Sequence, residues 1–97
     1  GADDAPAACG ALTWLDDDRA EVKRMWVDPA HRGKGVASAL LAHLESLALQ
    51  GGRSTVVLDT NGALTPAIAL YDRHGYERIE RYNDNPDAEL WFTKRLR

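Results

Sequence analysis

Val22-Lys23-Arg24-Met25-Trp26-Val27, followed by Asp28-Pro29-Ala30-His31-Arg32-Gly33-Lys34-Gly35 and then Val36 to Leu49, is the stretch whose reading decides the fold. The first six residues read as a strand, Asp28-Pro29 ends it, and the basic glycine loop from His31 to Gly35 turns the corner. From Val36 the apolar residues fall at 36, 37, 40, 41, 44, 47 and 48, the spacing of a helix with one wide apolar stripe. A loop of this kind aims several unpaired backbone N–H groups and the positive end of a helix dipole at one point. That is a site for phosphate.

Upstream, Ala7–Leu15 and Ala20–Val27 flank the polar turn Asp16-Asp17-Asp18-Arg19 and are expected to form an antiparallel hairpin. On the returning strand Glu21, Lys23, Met25 and Val27 share one face, and Val22, Arg24 and Trp26 the other. Neither face is cleanly apolar, which suits a strand bordering a ligand cleft. Downstream, the helix is expected to run to about Gln50, where Gly51-Gly52 supplies a left-handed cap. Ser54 to Thr60 is a β-branched run that reads as a buried strand. Strand, helix and strand at this spacing imply a parallel pair with a right-handed crossover. Asn61-Gly62 turns the chain, and Thr65 and Pro66 open a short helix that runs to His74 and ends at Gly75. Tyr76–Tyr82 and Ala88–Leu96 read as closing strands around the loop Asn83 to Asp87. The order is β-β-α-β-α-β-β, an α/β fold with a mixed, mostly antiparallel sheet, one domain over residues 1–97.

Composition narrows the partners. At 97 residues with 44% apolar and 28% charged, the chain is an ordinary globular domain with a small core. The net charge of −3 argues against general attraction to nucleic acid or to an anionic membrane. Its distribution is uneven: residues 1–21 carry six acids and one base, residues 22–35 four bases and one acid. The reversal falls on the glycine loop. Cys9 is the single cysteine, so neither an internal disulfide nor a thiolate metal site is expected. No apolar run reaches the roughly 20 residues of a bilayer span, and no basic-then-apolar leader opens the chain. A cytoplasmic protein is the default expectation. The first residue is Gly rather than Met, which is expected of a trimmed chain or a fragment.

Three phosphate ligands compete for the loop. A nucleoside-triphosphate loop needs Gly-x4-Gly-Lys-Ser/Thr, a spacing the chain lacks. A dinucleotide fingerprint is nearly met by Gly33-Lys34-Gly35-Val36-Ala37-Ser38, with Asp59 at the end of the next strand. In that fold, however, the first glycine turns directly off its strand, whereas residues 28–32 intervene here. The third pattern, Arg/Gln-x-x-Gly-x-Gly/Ala, is met by Arg32-Gly33-Lys34-Gly35-Val36-Ala37 at the start of a long helix. With Val27-Asp28-Pro29 before it, and Ala67-Ile68-Ala69-Leu70-Tyr71 and Gly75-Tyr76 later, the chain resembles the GNAT superfamily of acetyl-CoA-dependent N-acetyltransferases over nearly its whole length.

The resemblance implies a splayed central parallel pair and a set of roles. Arg32, Gly33, Lys34, Gly35, Val36 and Ala37 would hold the pyrophosphate of acetyl-CoA, and the backbone near Met25, Trp26 and Val27 would pair with pantetheine. Tyr71 aligns with the tyrosine that the family often uses as general acid toward the coenzyme A sulfur. Glu21, six residues before Val27, aligns with the catalytic glutamate of the histone-acetylating branch. The acceptor would be a primary amine of a small molecule or peptide, acetylated by direct transfer without a covalent enzyme intermediate or a metal. No Ser–His–acid arrangement competes, and His31, His43 and His74 read as surface residues. Where many members carry an asparagine that bonds pantetheine, this chain has Leu64, and Asn61 lies nearby. The family's usual N-terminal strand and helices, one wall of the acceptor pocket, have no counterpart before Ala7. That leaves an exposed sheet edge, for which a homodimer is the mild expectation. A catalytically idle CoA-binding module is the rival reading, and a dinucleotide-binding oxidoreductase fragment the third.

Overall fold

A computed structural model describes residues 8–27, 35–61 and 65–97; of Ala8, Arg24, Trp26, Val27, Thr65 and Pro66 it describes the backbone alone. Strand β1 spans Ala8–Trp14, β2 Arg19–Val27, helix α1 Val36–Gln50, β3 Thr55–Thr60, α2 Thr65–Arg73, β4 Glu77–Ile79 and β5 Leu90–Arg95. The five strands form one sheet in the order β1-β2-β3-β5-β4, in which β2 and β3 are parallel and every other pair antiparallel. The α/β class, the element order and the central parallel pair expected from the sequence are all present.

The β1–β2 hairpin closes on Asp16. One of its carboxylate oxygens accepts from the backbone N–H of Asp18 (3.0 Å) and Arg19 (2.7 Å), and the other from Arg19 Nε at 2.7 Å. The bond to the Arg19 side chain is the main reason that the Asp16 carboxyl lies below the usual carboxylate range. Farther along, Cys9 pairs with Trp26 but Ala11 with Lys23, so β2 carries one extra residue at Arg24-Met25 opposite Gly10. This bulge interrupts the strict alternation of faces that the sequence pattern assumed. Bulges bend a strand and re-aim its side chains.

One core joins the sheet to both helices. Leu41, Leu44 and Ala48 of α1 and Leu70 and Tyr71 of α2 pack with Ala20, Val22, Val56, Leu58 and Phe92. Leu41 and Leu58 are fully enclosed, each contributing about 1.5–3 kcal/mol of apolar burial. Alternation sends Glu21, Val57, Asp59, Trp91 and Thr93 to the opposite face. That face is covered by the chain itself. Residues 80–89, between β4 and β5, form a strap across the sheet, and Tyr82 and Asn83 reach Glu21 on β2.

The strap departs from the sequence pattern, which extends the fourth strand to Tyr82; the ladder stops at Ile79. Tyr82 and Asn83 find stronger partners in the Glu21 and Asp59 carboxylates than a strand edge would offer. At Asn83 and Asn85 the side chains cap the backbone N–H two residues on, a local geometry that competes with strand.

Two buried tyrosines, Tyr71 and Tyr76, and the half-buried Tyr82 give the fold an alkaline limit. Burial raises the phenol pKa of Tyr71, Tyr76 and Tyr82, and the neighbouring Glu45 and Glu21 add to the rise at Tyr76 and Tyr82. The folded chain therefore keeps protons that the unfolded chain releases near pH ~10. Their contribution is intact below that value and is lost as pH rises through the folded-state values. The urea midpoint is expected to stay level to roughly pH 9 and to fall above ~10; a midpoint unchanged at pH ~11 contradicts this.

Candidate active site

The site begins where β2 and β3 part. Their parallel pairing covers Arg19–Val22 against Thr55–Leu58 and stops, although β2 continues to Val27 and β3 to Thr60. Beyond Val22, among the described residues, β2 is paired on one edge only, to β1, with the bulge in its path. The gap opens a cleft of about 580 Å³ that passes between the strand ends. Lys23 and Met25 wall it from β2, Asp59 and Asn61 from β3, Tyr71 from α2, and Asn85 from the strap.

Toward α1 the geometry suits an anion. Gly35 is the N-cap residue with φ +75°, a left-handed conformation that L side chains rarely adopt, and no side chain caps the helix. The N–H groups of Val36 and Ala37 are among those that helical geometry leaves without intrahelical acceptors, and the first turn holds no acidic residue. Ser38 Oγ on the next position bonds His74 Nε2 at 3.1 Å, tying the start of α1 to the end of α2. Arg32, Gly33 and Lys34 lie outside the described residues, as do the side chains of Trp26 and Val27.

Tyr71 is 4% exposed, with its ring 5.8 Å from that of Tyr76 and 5.7 Å from that of Phe92. Among the described residues its hydroxyl makes no hydrogen bond, and no fully enclosed side-chain polar atom lacks a partner. The hydroxyl thus opens on the cleft that the ring helps to line. Burial pushes its pKa up, and the charge of Asp59 pushes it further. At neutral pH this phenol is a proton donor and not a base.

Glu21 sits elsewhere. It is 5% exposed, on the strap side of the sheet and off the cleft wall. Its Oε2 accepts from Tyr82 Oη (2.6 Å) and Asn83 Nδ2 (3.1 Å), and Lys23 Nζ lies 3.4 Å from Oε1. Two acids line the cleft, Asp87 on the strap and Asp59, whose Oδ2 accepts from Asn83 Nδ2 at 2.6 Å and Oδ1 from Asn85 Nδ2 at 3.2 Å. Both donors are neutral amides. Among the described residues no cation pairs with Asp59.

The sequence pattern picks out Tyr71, Glu21, Met25 and Asn61, and the structure brings Tyr71, Met25 and Asn61 to one cleft. It misses Asp59 as a cleft residue and Asn83 as the link between two carboxylates. Asp59 has a local signal: it is the one charged residue in the run Thr55–Thr60. Asn83 has none, since its partners lie 24 and 62 residues away in sequence.

Comparison with known proteins agrees with this architecture. The sequence profile of the Acetyltransferase (GNAT) family matches residues 1–76, and the chain belongs to that family. It is 34% identical to the uncharacterised N-acetyltransferase YsnE of Bacillus subtilis over 96% of this chain and 64% of that protein. A Klebsiella pneumoniae protein described as a candidate acyl-CoA N-acyltransferase superposes with a TM-score of 0.85 at 36% identity, over 93% of this chain and 63% of the other. Rv2747 of Mycobacterium tuberculosis, solved in complex with CoA, superposes with a TM-score of 0.68 at 29% identity, over 82% of this chain and 45% of that one. The chain thus spans just under two thirds of the length of the first two.

Proposed function

We propose that the chain binds acetyl-CoA and transfers its acetyl group directly to a primary amine of a small molecule or peptide. The observation that carries this is the cleft opened by the parting of β2 from β3, with Tyr71, whose hydroxyl makes no hydrogen bond among the described residues, and the Asp59 carboxylate both on its wall. The phosphates would lie on residues Arg32 to Ala37 at the start of α1. Pantetheine would run along Met25, Trp26 and Val27, where β2 has no partner on its β3 side, with Asn61 beside it. Membership of the family and the CoA-bound Mycobacterium relative support this placement.

In the reaction the acceptor ammonium gives a proton to the carboxylate pair of Glu21 and Asp59, entering at Asp59, the member that faces the cleft. The free amine attacks the thioester carbonyl, the C–N bond forms and the C–S bond breaks. Tyr71 gives its proton to the departing thiolate and is reprotonated from solvent. The second N–H proton passes from the tetrahedral intermediate to solvent as it collapses, so that overall the nitrogen loses two protons, sulfur gains one and one is released. β1 is the edge of the sheet, and a homodimer formed along it is the assembly this edge supports.

Binding is tested by thermal shift. Acetyl-CoA at 100 times its dissociation constant should stabilise the fold by about 2.7 kcal/mol, which for a domain of this size raises Tm by roughly 10 °C or more. A shift with NAD and none with acetyl-CoA would sink the proposal in favour of a dinucleotide. Thiol release across an amine panel then separates an enzyme from a module that only binds.

A further inference from the structure

Asn83 sits between the two carboxylates of the site. Its Nδ2 donates to Glu21 Oε2 at 3.1 Å and to Asp59 Oδ2 at 2.6 Å. Its Oδ1 accepts from Trp91 Nε1 at 2.9 Å and from the Asn85 backbone N–H at 3.3 Å. Every partner is one-way chemically: carboxylates only accept, and indole and backbone N–H only donate. The amide orientation is therefore fixed, and each of its four polar positions is used. Trp91 in turn is 8% exposed on β5, with the Arg81 guanidinium 4.7 Å from its ring centre. Asn83 is thus held by the sheet as firmly as it holds the carboxylates.

The electrostatics give this bridge a purpose. Glu21 and Asp59 lie within reach of one amide group, and among the described residues the ammonium of Lys23 pairs with Glu21 and not with Asp59. Two like charges this close repel, and without a shared donor they would turn apart or share a proton. A neutral donor between them lets both keep their place, and among the described residues no cation pairs with Asp59 on its cleft side. A cation in the same position would neutralise the charge that an incoming ammonium needs. An aspartate in its place would add a third negative charge.

We propose that Asn83 is a positioning residue of the acetyl transfer: it holds the Glu21 and Asp59 carboxylates side by side and sets Asp59 against the cleft that Tyr71 lines. This rests on the transferase reading above. Residues 80–89 are then part of the active site and not merely a connection between strands. The strap sets the acid that meets the acceptor.

The test compares Asn83→Ala and Asn83→Asp with the parent chain in acetyl-CoA-dependent thiol release. The acceptor is whichever of a monoamine, a diamine and a lysine-containing peptide the parent acetylates fastest. Rates are expressed per folded molecule by circular dichroism, and acetyl-CoA affinity is measured by calorimetry. The expected result is a fall in kcat of roughly 100-fold in both variants, the scale of a misplaced reacting group. The KM and affinity for acetyl-CoA should stay at the parental value, because Asn83 is not among the residues assigned to the coenzyme. Should Asn83→Ala not fold, Asn83→Asp, which keeps the size and both accepting positions, carries the measurement. Variants that melt earlier but turn over at the parental rate per folded molecule would overturn the inference and leave the transferase reading intact. A parent that binds no acetyl-CoA, or acetylates none of the three acceptors, would overturn both.

Discussion

Tyr71→Phe is expected to lower kcat by roughly 100-fold or more, the usual contribution of a positioned general acid, with acetyl-CoA affinity unchanged. The substitution is clean because of where the hydroxyl is. It makes no hydrogen bond among the described residues, so no buried partner is orphaned when it is removed. The ring contacts to Tyr76 and Phe92, at 5.8 and 5.7 Å, remain available to phenylalanine. Stability should hold and chemistry should fail, a separation that few core substitutions offer. Single-turnover thiol release measures it, with calorimetry for the coenzyme. A fully active variant would remove Tyr71 as the acid.

Gly35→Val is expected to do the reverse, weakening acetyl-CoA binding by about 100-fold or more without a matching loss of fold. At φ +75° a β-branched residue is strained by a few kcal/mol, so the backbone is pushed from the left-handed region. Among the described residues nothing lies within 4 Å of the place a Cβ would take, so the cost at this position is conformational and not a clash at Cβ. What suffers is the aim of the N–H groups that follow. Hydrogen bonds to a charged group are each worth about 1.5–3 kcal/mol, and two lost together give the stated factor. Gly35→Asn is the informative companion, since asparagine tolerates left-handed backbone and should bind better than Gly35→Val. Calorimetry with acetyl-CoA decides between them. Parental affinity in Gly35→Val would count against the start of α1 as the phosphate site.

Much of the fold is legible because its signals are local. The helix spacing from Val36, the β-branched run at Thr55–Thr60 and the Thr-Pro start at 65–66 each sit inside one element, and each element appears where its pattern falls. The bulge at Arg24-Met25 is not legible, because it is defined by what Gly10 pairs with across the hairpin. The short β4 fails for a related reason. Tyr76–Tyr82 has strand composition, but Tyr82 is drawn off by Glu21, a partner 61 residues earlier. The site divides the same way. Tyr71, Met25 and Asn61 are readable through a motif, whereas Asp59 gains its meaning from a gap between strands and Asn83 from two distant carboxylates. Glu21 is readable as an acid on the right strand, but its place beneath the strap is set by Tyr82 and Asn83.

Strand β2 changes employment at Val22. Residues 19–22 have neighbours on both sides, β1 and β3, and are where the sheet is knitted together. Beyond Val22 the strand pairs with β1 alone among the described residues, and Lys23 and Met25 border the cleft. Sheet cohesion and the cleft wall therefore fall mainly on successive stretches of a single strand, and meet at Val22. Over evolutionary time the outer stretch can vary while the inner one keeps the sheet intact. Such a scaffold can diversify what it handles without first having to become more stable.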